Sequence, residues 1–282
     1  MPGTLFVCAT PIGNLEDITL RALRVLREAD VIAAEDTRTT QKLLNHYDIR
    51  TSCISYHKHN EKTRSDLLLD QLFEGKNVAL VSDAGTPGIS DPGQIVIDAA
   101  VEAGINVVSV PGPSAVVAAL VVSGLPAERF AFEGFLPRNK KQRKDHLSDL
   151  ASDPRTLVFY EAPHRLEETL EDLLDVLGNR RVSLVRELTK KFEEILRGNL
   201  ADMVRQLKEG QEARGEYVLV VEGCTASESR EKSDGWKYLS LQEHVESIIA
   251  EGRSKKEAVK EAAELRKLPR REVYKFVENL DL

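Results

Sequence analysis

The stretch NVALVSDAGTPGISDPG, residues 77–93, joins a short apolar run directly to a loop rich in glycine and proline. The run from Asn77 to Ser82 has the length of a strand, and the residues from Val78 to Val81 are all apolar. Such a run without polar alternation is typical of a parallel sheet that is covered on both faces. The loop begins where the predicted strand ends, which is the edge of an open α/β sheet where ligands bind.

Two more loops of this kind follow strand-like runs. Residues 4–9 lead into Thr10–Asn14 (TPIGN), and residues 105–110 lead into residues 111–115 (PGPSA). The segments between the runs have the apolar spacing of amphipathic helices, so the pattern predicts a doubly wound α/β domain. Glycine lets the backbone approach a ligand and proline holds a loop rigid, although both also occur in ordinary turns. Three such loops on one edge favour a pocket of adenosine or phosphate size.

From Pro113 onward a second α/β pattern begins that differs from the first, and the end of the chain has a wholly helical pattern. We predict two α/β domains at residues 1–112 and 113–224, a linker at 225–238 and a small all-helical, helix-turn-helix-like module at 239–282. The strands predicted in the second domain cover residues 129–134, 156–160, 181–186 and 216–222. The linker is a polar segment without periodicity, and the module has helical spacing with Ser254 at capping-box distance from Glu257.

Composition limits the class of protein. The 282 residues suggest about two domains, and an apolar share of 41% is enough for real cores. No apolar run approaches the ~20 residues of a membrane helix, and the first residues lack the basic start of a signal peptide, so we expect a soluble, cytoplasmic protein. The cysteines are far apart, and His57 and His59 have no third ligand in view, so neither disulfides nor a metal site is expected.

Charge is unevenly distributed along the chain. The net charge of −7 argues against binding a polyanion with the whole surface, but it allows local basic patches. The cations of the first patch are Arg138, Lys140, Lys141, Arg143 and Lys144. A second patch, residues 253–275, has nine lysines and arginines against four glutamates. Both are candidates for phosphate contacts, although a solvated helix face explains the second patch equally well. Together they favour a polyanionic substrate.

Two segments of the second domain follow predicted strands and are candidates for an opposite wall of the site. They are residues 160–165 (YEAPHR) and 186–191 (RELTKK), with ordinary solvated turns as the alternative. In the first domain, residues 35–38 (EDTR) also reach the ligand edge, either as part of a site or as a helix cap with a surface ion pair. The glycine patterns of dinucleotide and P-loop sites are absent from the sequence, as is a GxSxG elbow, which argues against a standard nucleotide site or a serine hydrolase.

These segments together resemble the tetrapyrrole methylase superfamily, and within it the branch that methylates RNA of the small ribosomal subunit. The motifs that carry the resemblance are ATPIGNLEDIT (residues 9–19), AEDTR (34–38), VSDAGTPGISDPG (81–93), VPGPSA (110–115), FEGFLPR (132–138), FYEAPHR (159–165), RELTK (186–190) and GEYVLVVEG (215–223). Along this chain the motifs occur in the same order as in the family. The helical tail is similar to the C-terminal domain of the same branch, although it is less distinctive.

The resemblance implies a homodimer that binds S-adenosylmethionine in the cleft between its two α/β domains. It also implies methylation of the ribose 2′-oxygen of cytidine 1402 in 16S rRNA, with the small ribosomal subunit as partner. The cofactor contacts that it implies, motif by motif, are Pro11, Asp83, Ala84, Gly85, Ile89, Ser114, Ala115, Tyr160 and Leu188.

The opposite wall, residues 160–165 and 186–191, offers candidates for the group that accepts the proton of the 2′-hydroxyl. A sulfonium leaves as a neutral thioether, so catalysis is largely positioning, and a base adds about 10²–10⁴-fold. The candidates are Glu187 and Lys190, with Glu161 and His164 behind them. Two rival functions remain open at this point. A methyltransferase acting on a tetrapyrrole leaves the basic patches unexplained, and a non-catalytic RNA-binding protein leaves the ligand-edge loops unexplained.

Overall fold

A computed structural model describes residues 1–210, 213–225, 239–250 and 253–277. The chain divides into two compact units, Met1–Gly223 and Cys224–Leu282. Apart from Thr225, the predicted linker lies outside the described residues. Within the part that the structure describes, no helix is long and apolar enough to cross a membrane.

The first sheet lies near the start of the larger unit and is entirely parallel. Its strands are β1 (Thr4–Cys8), β2 (Val31–Ala34), β3 (Cys53–Ser55), β4 (Val78–Val81) and β5 (Asn106–Val110). Their order is β3-β2-β4-β1-β5, and every neighbouring pair runs in the same direction. All four residues of β2 and of β4 are buried, as the uniformly apolar runs predict.

Helices cover both faces of this sheet. They are α1 (Leu20–Glu28), α2 (Thr37–His46), α3 (Glu61–Phe73) and α4 (Gln94–Glu102). Helices α1 and α2 pack in one apolar core and α3 and α4 in another, so the predicted doubly wound α/β fold is confirmed. Helix α1 begins at Leu20, where the Thr19 side chain caps it by accepting a hydrogen bond from the Ala22 N–H.

The second sheet, in the later part of the same unit, is mixed. Its strands are β6 (Phe130–Phe135), β7 (Thr156–Glu161), β8 (Arg181–Arg186), β9 (Glu194–Asn199) and β10 (Tyr217–Val221). Their order is β6-β7-β10-β8-β9, in which only β6 and β7 pair in parallel. Helix α5 (Ala115–Ser123) packs on one face, and α6 (Lys140–Leu150), α7 (Leu166–Leu177) and α8 (Leu200–Lys208) pack on the other.

Sequence patterns predict neither α3, α6 nor β9. Three consecutive leucines in α3 blur the helical period, and α6 buries only Arg143 and Leu147, so its apolar signal is weak. The first basic patch therefore starts a helix rather than lying in a loop. Asn139 caps this helix by accepting a hydrogen bond from the Gln142 N–H.

The smaller unit contains three helices in its described part, α9 (Leu241–Ala250), α10 (Lys255–Arg266) and α11 (Arg270–Val277). Ser254 and Glu257 form the predicted capping box at the start of α10. A small core that includes Val245, Val259 and Val273 holds the three helices together. The domain boundaries at 112/113 and 224/225 stay predictions. Residues 251–252 and 278–282 of the predicted helical module lie outside the described residues.

Candidate functional site

The loops after β1 and β4 are joined at the carboxyl edge of the first sheet. The Thr10 N–H donates to the Gly85 carbonyl at 2.8 Å, and the Gly85 N–H donates back to the Thr10 carbonyl at 3.1 Å. Gly85 has a φ of +79°, which a side chain would disfavour. The Thr10 hydroxyl also donates to the Ser82 carbonyl at 3.1 Å. The two loops therefore form one rigid wall.

A cavity of about 510 Å³ lies between this wall and the second sheet. The predicted cofactor residues that line it are Ala84, Gly85, Ile89, Ser114, Ala115, Tyr160 and Leu188. Pro11 and Asp83 do not line it. Pro11 precedes the lining residue Ile12, and the Asp83 carboxylate instead accepts a hydrogen bond from the Asp36 N–H at 3.0 Å. Asp83 thereby ties the β4 loop to the segment after β2.

Sequence reasoning missed several residues of the cavity. Ile12, Thr86, Ser90 and Asp91 lie within the motifs already quoted, but the resemblance assigns them no role. Phe135 also lines the cavity, with its ring centroid 5.5 Å from that of Tyr160. Its position at the end of β6, inside the FEGFLPR motif, is the signal that would have identified it.

Lys190 lines the cavity and is held by two carboxylates. Its Nζ donates to Glu187 Oε1 at 2.9 Å and to Glu216 Oε2 at 2.8 Å. Burial lowers the pKa of Lys190, but the hydrogen bonds to Glu216 and Glu187 outweigh burial, so its pKa is raised above the ordinary value. The hydrogen bond from Lys190 is also the main cause that lowers the pKa of Glu187. Lys190 is therefore an ammonium at neutral pH and not a proton acceptor.

The turn that carries these two residues has an unusual backbone. Glu187 has a φ of +49° and Thr189 a φ of +65°, both in the left-handed region that few non-glycine residues adopt. The Glu187 carboxylate also accepts a hydrogen bond from the Glu216 N–H at 3.0 Å, which fastens the turn to the start of β10. Glu187 does not line the cavity itself but positions the residue that does.

Asp91 lines the cavity on the side of the first sheet. Burial raises the pKa of Asp91 to about 6, and the charges of Glu35 and Asp83 add to this effect, against a hydrogen bond with Ser82. Tyr160 lines the opposite wall, and its pKa is raised to about 12 by burial and then by the charge of Asp91. The cavity thus contains a carboxyl that changes charge close to neutral pH.

The two reserve candidates for the base differ sharply in environment. Glu161 is buried, and its carboxylate accepts hydrogen bonds from the Thr169 hydroxyl at 2.6 Å and from the Ala162 N–H at 2.8 Å. These contacts occupy both oxygens, which fits a role in holding the start of α7. His164 lines the cavity and is exposed to solvent.

The first basic patch is only partly available to a ligand. Arg138, Lys140 and Lys141 are exposed, whereas Lys144 forms an ion pair with Asp175 on α7. The prediction that Arg143 contacts RNA is wrong, because its side chain is fully buried. Its Nε donates to Asp172 Oδ2 at 2.7 Å, and a guanidinium nitrogen lies 2.6 Å from Glu168 Oε1. Arg143 fastens α6 to α7.

Metal ligands do not gather in the part of the chain that the structure describes. His57 and His59 lie with ring centroids 6.0 Å apart, and no group of three candidate ligands occurs among the described residues. The polar side chains that line the cavity include those of Lys190, Asp91, Tyr160, His164 and Glu216.

A two-sheet α/β fold with a cavity between its sheets defines the class of the protein, and sequence comparison gives the family. Residues 4–204 match the Tetrapyrrole (Corrin/Porphyrin) Methylases, so the chain belongs to the tetrapyrrole methylase family and is a methyltransferase. Proteins named Ribosomal RNA small subunit methyltransferase I are similar over nearly the whole chain. The protein from Halalkalibacterium halodurans is 53% identical over 272 residues, which cover 96% of this chain and 93% of that protein. The one from Bacillus subtilis is 47% identical over 272 residues, with the same shares covered.

Solved structures agree with the fold. Uroporphyrin-III C-methyltransferase from Thermus thermophilus, complexed with S-adenosylhomocysteine, matches with a TM-score of 0.56 at 21% identity, over 78% of this chain and 97% of that one. A cobalt precorrin-4 methyltransferase matches with a TM-score of 0.57 at 19% identity, over 77% of this chain and 94% of that one. At identities of 19–21%, the similarity to these structures concerns the fold alone. The sequence match confirms the predicted family, and the structures confirm the predicted fold class.

Proposed function

We propose that this protein transfers the methyl group of S-adenosylmethionine to the ribose 2′-oxygen of cytidine 1402 in 16S rRNA of the small ribosomal subunit. The observation that carries the proposal is the cavity between the two sheets. It has the volume of a small-molecule site, and the ammonium of Lys190 and the carboxyl of Asp91 line it. The names of relatives at 53% and 47% identity support RNA of the small subunit as the substrate.

The lining residues fit this cofactor in size and chemistry. A volume of about 510 Å³ lies within the range of small-molecule pockets. Ile12, Ile89, Val185 and Leu188 offer apolar surface for a nucleoside base, and Gly85 leaves the backbone open to close approach. Seven of the nine cofactor contacts implied by the resemblance lie on these walls, namely Ala84, Gly85, Ile89, Ser114, Ala115, Tyr160 and Leu188.

The start of α5 suits an anionic group. Ser114 is the N-cap of this helix, but its side chain makes no capping hydrogen bond, so the first-turn amides have no side-chain acceptor. Ser114 and Ala115 both line the cavity. A carboxylate or ribose hydroxyl of the cofactor is the natural acceptor for these amides.

Asp91 is the residue that we assign as proton acceptor. S-adenosylmethionine supplies an electrophilic methyl group on a sulfonium that leaves as a neutral thioether. The 2′-hydroxyl proton passes to the Asp91 carboxylate as the oxygen–carbon bond forms and the carbon–sulfur bond breaks. Asp91 faces the cavity and is within electrostatic reach of Tyr160 on the other wall. This assignment replaces Glu187 and Lys190 as the base.

Lys190 orients the substrate in this mechanism. Its ammonium is fixed by Glu187 and Glu216 and retains a side-chain exposure of 29%, so it can donate a hydrogen bond to the ribose or to a neighbouring phosphate. Glu187 acts through Lys190 as a positioning residue. Arg138, Lys140 and Lys141, at the start of α6, supply exposed cations for the RNA backbone.

The proposal also covers the location and the oligomeric state of the protein. An enzyme that modifies small ribosomal subunits acts in the cytoplasm, and the resemblance implies a homodimer. Sedimentation velocity measures the second point directly, because a monomer of 31.4 kDa and its dimer differ twofold in mass.

A matched pair of RNA fragments tests the position of methylation. One fragment contains cytidine at the target position and the other contains 2′-deoxycytidine, which lacks the accepting oxygen. We expect methylation of the first fragment only, measured by mass spectrometry of nuclease digests. Equal methylation of both fragments would overturn the 2′-oxygen as acceptor.

A further inference from the structure

Helix α11 (Arg270–Val277) has one buried side and one exposed side. Val273 is fully buried in the core of the smaller unit. At about 100° per residue, Arg271 and Lys275 lie opposite Val273, and Tyr274 and then Arg270 follow Arg271 around one flank of the helix. All four are exposed. We call these four residues the α11 face.

The cations of the α11 face are largely uncompensated. The side chains of Arg271 and Lys275 form no ion pair or hydrogen bond with any residue that the structure describes, whereas Arg270 pairs with Glu264 at 2.9 Å. Glu272 is the single acid in the sequence of this helix; it is exposed and lies about 60° beyond Lys275, on the flank away from Tyr274. The face therefore combines positive charge with the ring of Tyr274, which is 43% exposed.

This combination differs from an ordinary solvated helix face. An ordinary solvated face gives no reason for a large aromatic ring to be exposed among cations. An aromatic ring flanked by cations is the arrangement that binds single-stranded RNA, because the ring stacks on an unpaired base while the cations contact the phosphates. The acidic net charge of −7 makes a local cationic face more notable.

We infer that the α11 face is an RNA-contacting surface, on which Tyr274 stacks against an unpaired base and Arg271 and Lys275 contact adjacent phosphates. This inference rests on the proposed function, since it assigns part of the recognition of the same RNA to the smaller unit. It gives a role to the second basic patch, for which sequence alone left two explanations.

Full-length variants test the inference in two ways. Tyr274→Ala removes the stacking ring, and Tyr274→Phe keeps it. Arg271→Glu with Lys275→Glu reverses the charges. Arg205→Glu with Lys208→Glu, on α8, makes the same change of charge elsewhere and serves as the control for overall charge. These two cations pair with Asp202 and Glu171, so the melting temperature of this variant is measured as well. Binding of a fluorescent 16S rRNA fragment is measured at several salt concentrations, together with kcat and KM for methyl transfer.

We expect Tyr274→Ala to weaken RNA binding about 10-fold and Tyr274→Phe to retain it. The α11 charge reversal should reduce the slope of log affinity against log salt by about 1.4, which corresponds to two phosphate contacts on a single strand. KM should rise with kcat unchanged, and the α8 control should retain most of the affinity.

The outcomes separate the inference from the proposed function. If the wild type methylates the RNA but the α11 variants match it in affinity, salt slope and KM, the α11 face does not bind RNA. An equal loss in the α8 control would also overturn the inference, since overall charge would then explain the effect. Absence of RNA binding and methylation by the wild type would overturn the proposed function itself, and the inference with it.

Discussion

Gly13 lies directly against Lys190: a Cβ atom at position 13 would be 2.4 Å from Lys190 Cγ. The same atom would be 2.9 Å from Thr189 Oγ1 and 3.0 Å from the Leu188 carbonyl. The loop after β1 therefore touches the turn after β8, and the two walls of the cavity meet at this point. The position of Lys190 depends on the absence of a side chain at residue 13.

Gly13→Ala should displace the Lys190 turn and lower turnover by up to about 10²-fold, because small misplacements of catalytic groups are costly. Steady-state kinetics and the affinity for S-adenosylhomocysteine measure the effect. Lys190→Ala removes the Cγ atom in the clash, so the loss of stability caused by Gly13→Ala should be smaller in that background. Strictly additive losses of stability would contradict the contact.

Lys190→Ala should reduce turnover and leave cofactor affinity unchanged, because its ammonium acts on the substrate. Glu187→Gln should produce a smaller loss, since the neutral amide still accepts a hydrogen bond from Lys190 but holds its charge less strongly. Single-turnover rates and calorimetric titration with S-adenosylhomocysteine distinguish the two effects. Unchanged turnover in both variants would remove this pair from the reaction.

Asp91 determines the expected pH dependence. Its pKa of about 6 predicts a single-turnover rate that rises with pH up to about 6 and is flat above it. Asp91→Asn should lower the rate by about 10²–10⁴-fold and abolish this pH dependence. Asp98→Asn, at an exposed position on α4, is the control and should behave like the wild type. An Asp91→Asn variant with the wild-type rate and profile would exclude Asp91 as the base.

The same substitution has a predictable effect on stability. The pKa of Asp91 is higher in the folded state than its ordinary value of 3.8, so ionisation of this group costs stability as pH rises from about 4 to about 6. Asp91→Asn removes this cost, and its melting temperature above pH 6 should exceed that of the wild type. A lost rate in a more stable protein would then reflect chemistry rather than unfolding.

The first basic patch should divide into two kinds of residue. Replacing Arg138, Lys140 and Lys141 together by Ala should weaken RNA binding and reduce its salt slope by about 2, with stability unchanged. Arg143→Ala should instead lower the free energy of unfolding by about 3–5 kcal/mol, because it removes the buried partner of the Asp172 carboxylate and leaves only Lys144, 3.8 Å away. Urea denaturation and salt-dependent binding measure the two effects. An unaltered salt slope in the triple variant would assign these cations to solvated surface.

Sequence patterns predict the first sheet and its ligand edge well, because its inner strands β2 and β4 are buried on both faces and uniformly apolar. The runs at residues 4–9, 77–82 and 105–110 contain β1, β4 and β5, and the loops after them contribute to the cavity wall. The antiparallel pairing of β8, β9 and β10 was not predicted, because the order and direction of the strands in a mixed sheet produce no periodic pattern in the sequence.

The chemistry of individual side chains was harder to predict, because it depends on tertiary neighbours. In the sequence, Arg143 cannot be distinguished from the exposed cations beside it. Its buried partner, Asp172, lies 29 residues away along the chain. Asp91 lies within a quoted motif, but only burial beside Glu35 and Asp83 raises its pKa. The position of Lys190 after a strand was visible in the sequence, whereas its two carboxylate partners, Glu187 and Glu216, were not.

Methyl transfer from labelled S-adenosylmethionine is the first measurement to make. The purified protein is incubated separately with unmethylated small ribosomal subunits, with naked 16S rRNA and with a tetrapyrrole precursor. We predict label in RNA, at cytidine 1402, in a form that resists alkaline cleavage as a 2′-O-methyl group does. Label in the tetrapyrrole alone would contradict an RNA substrate and leave only the family assignment standing.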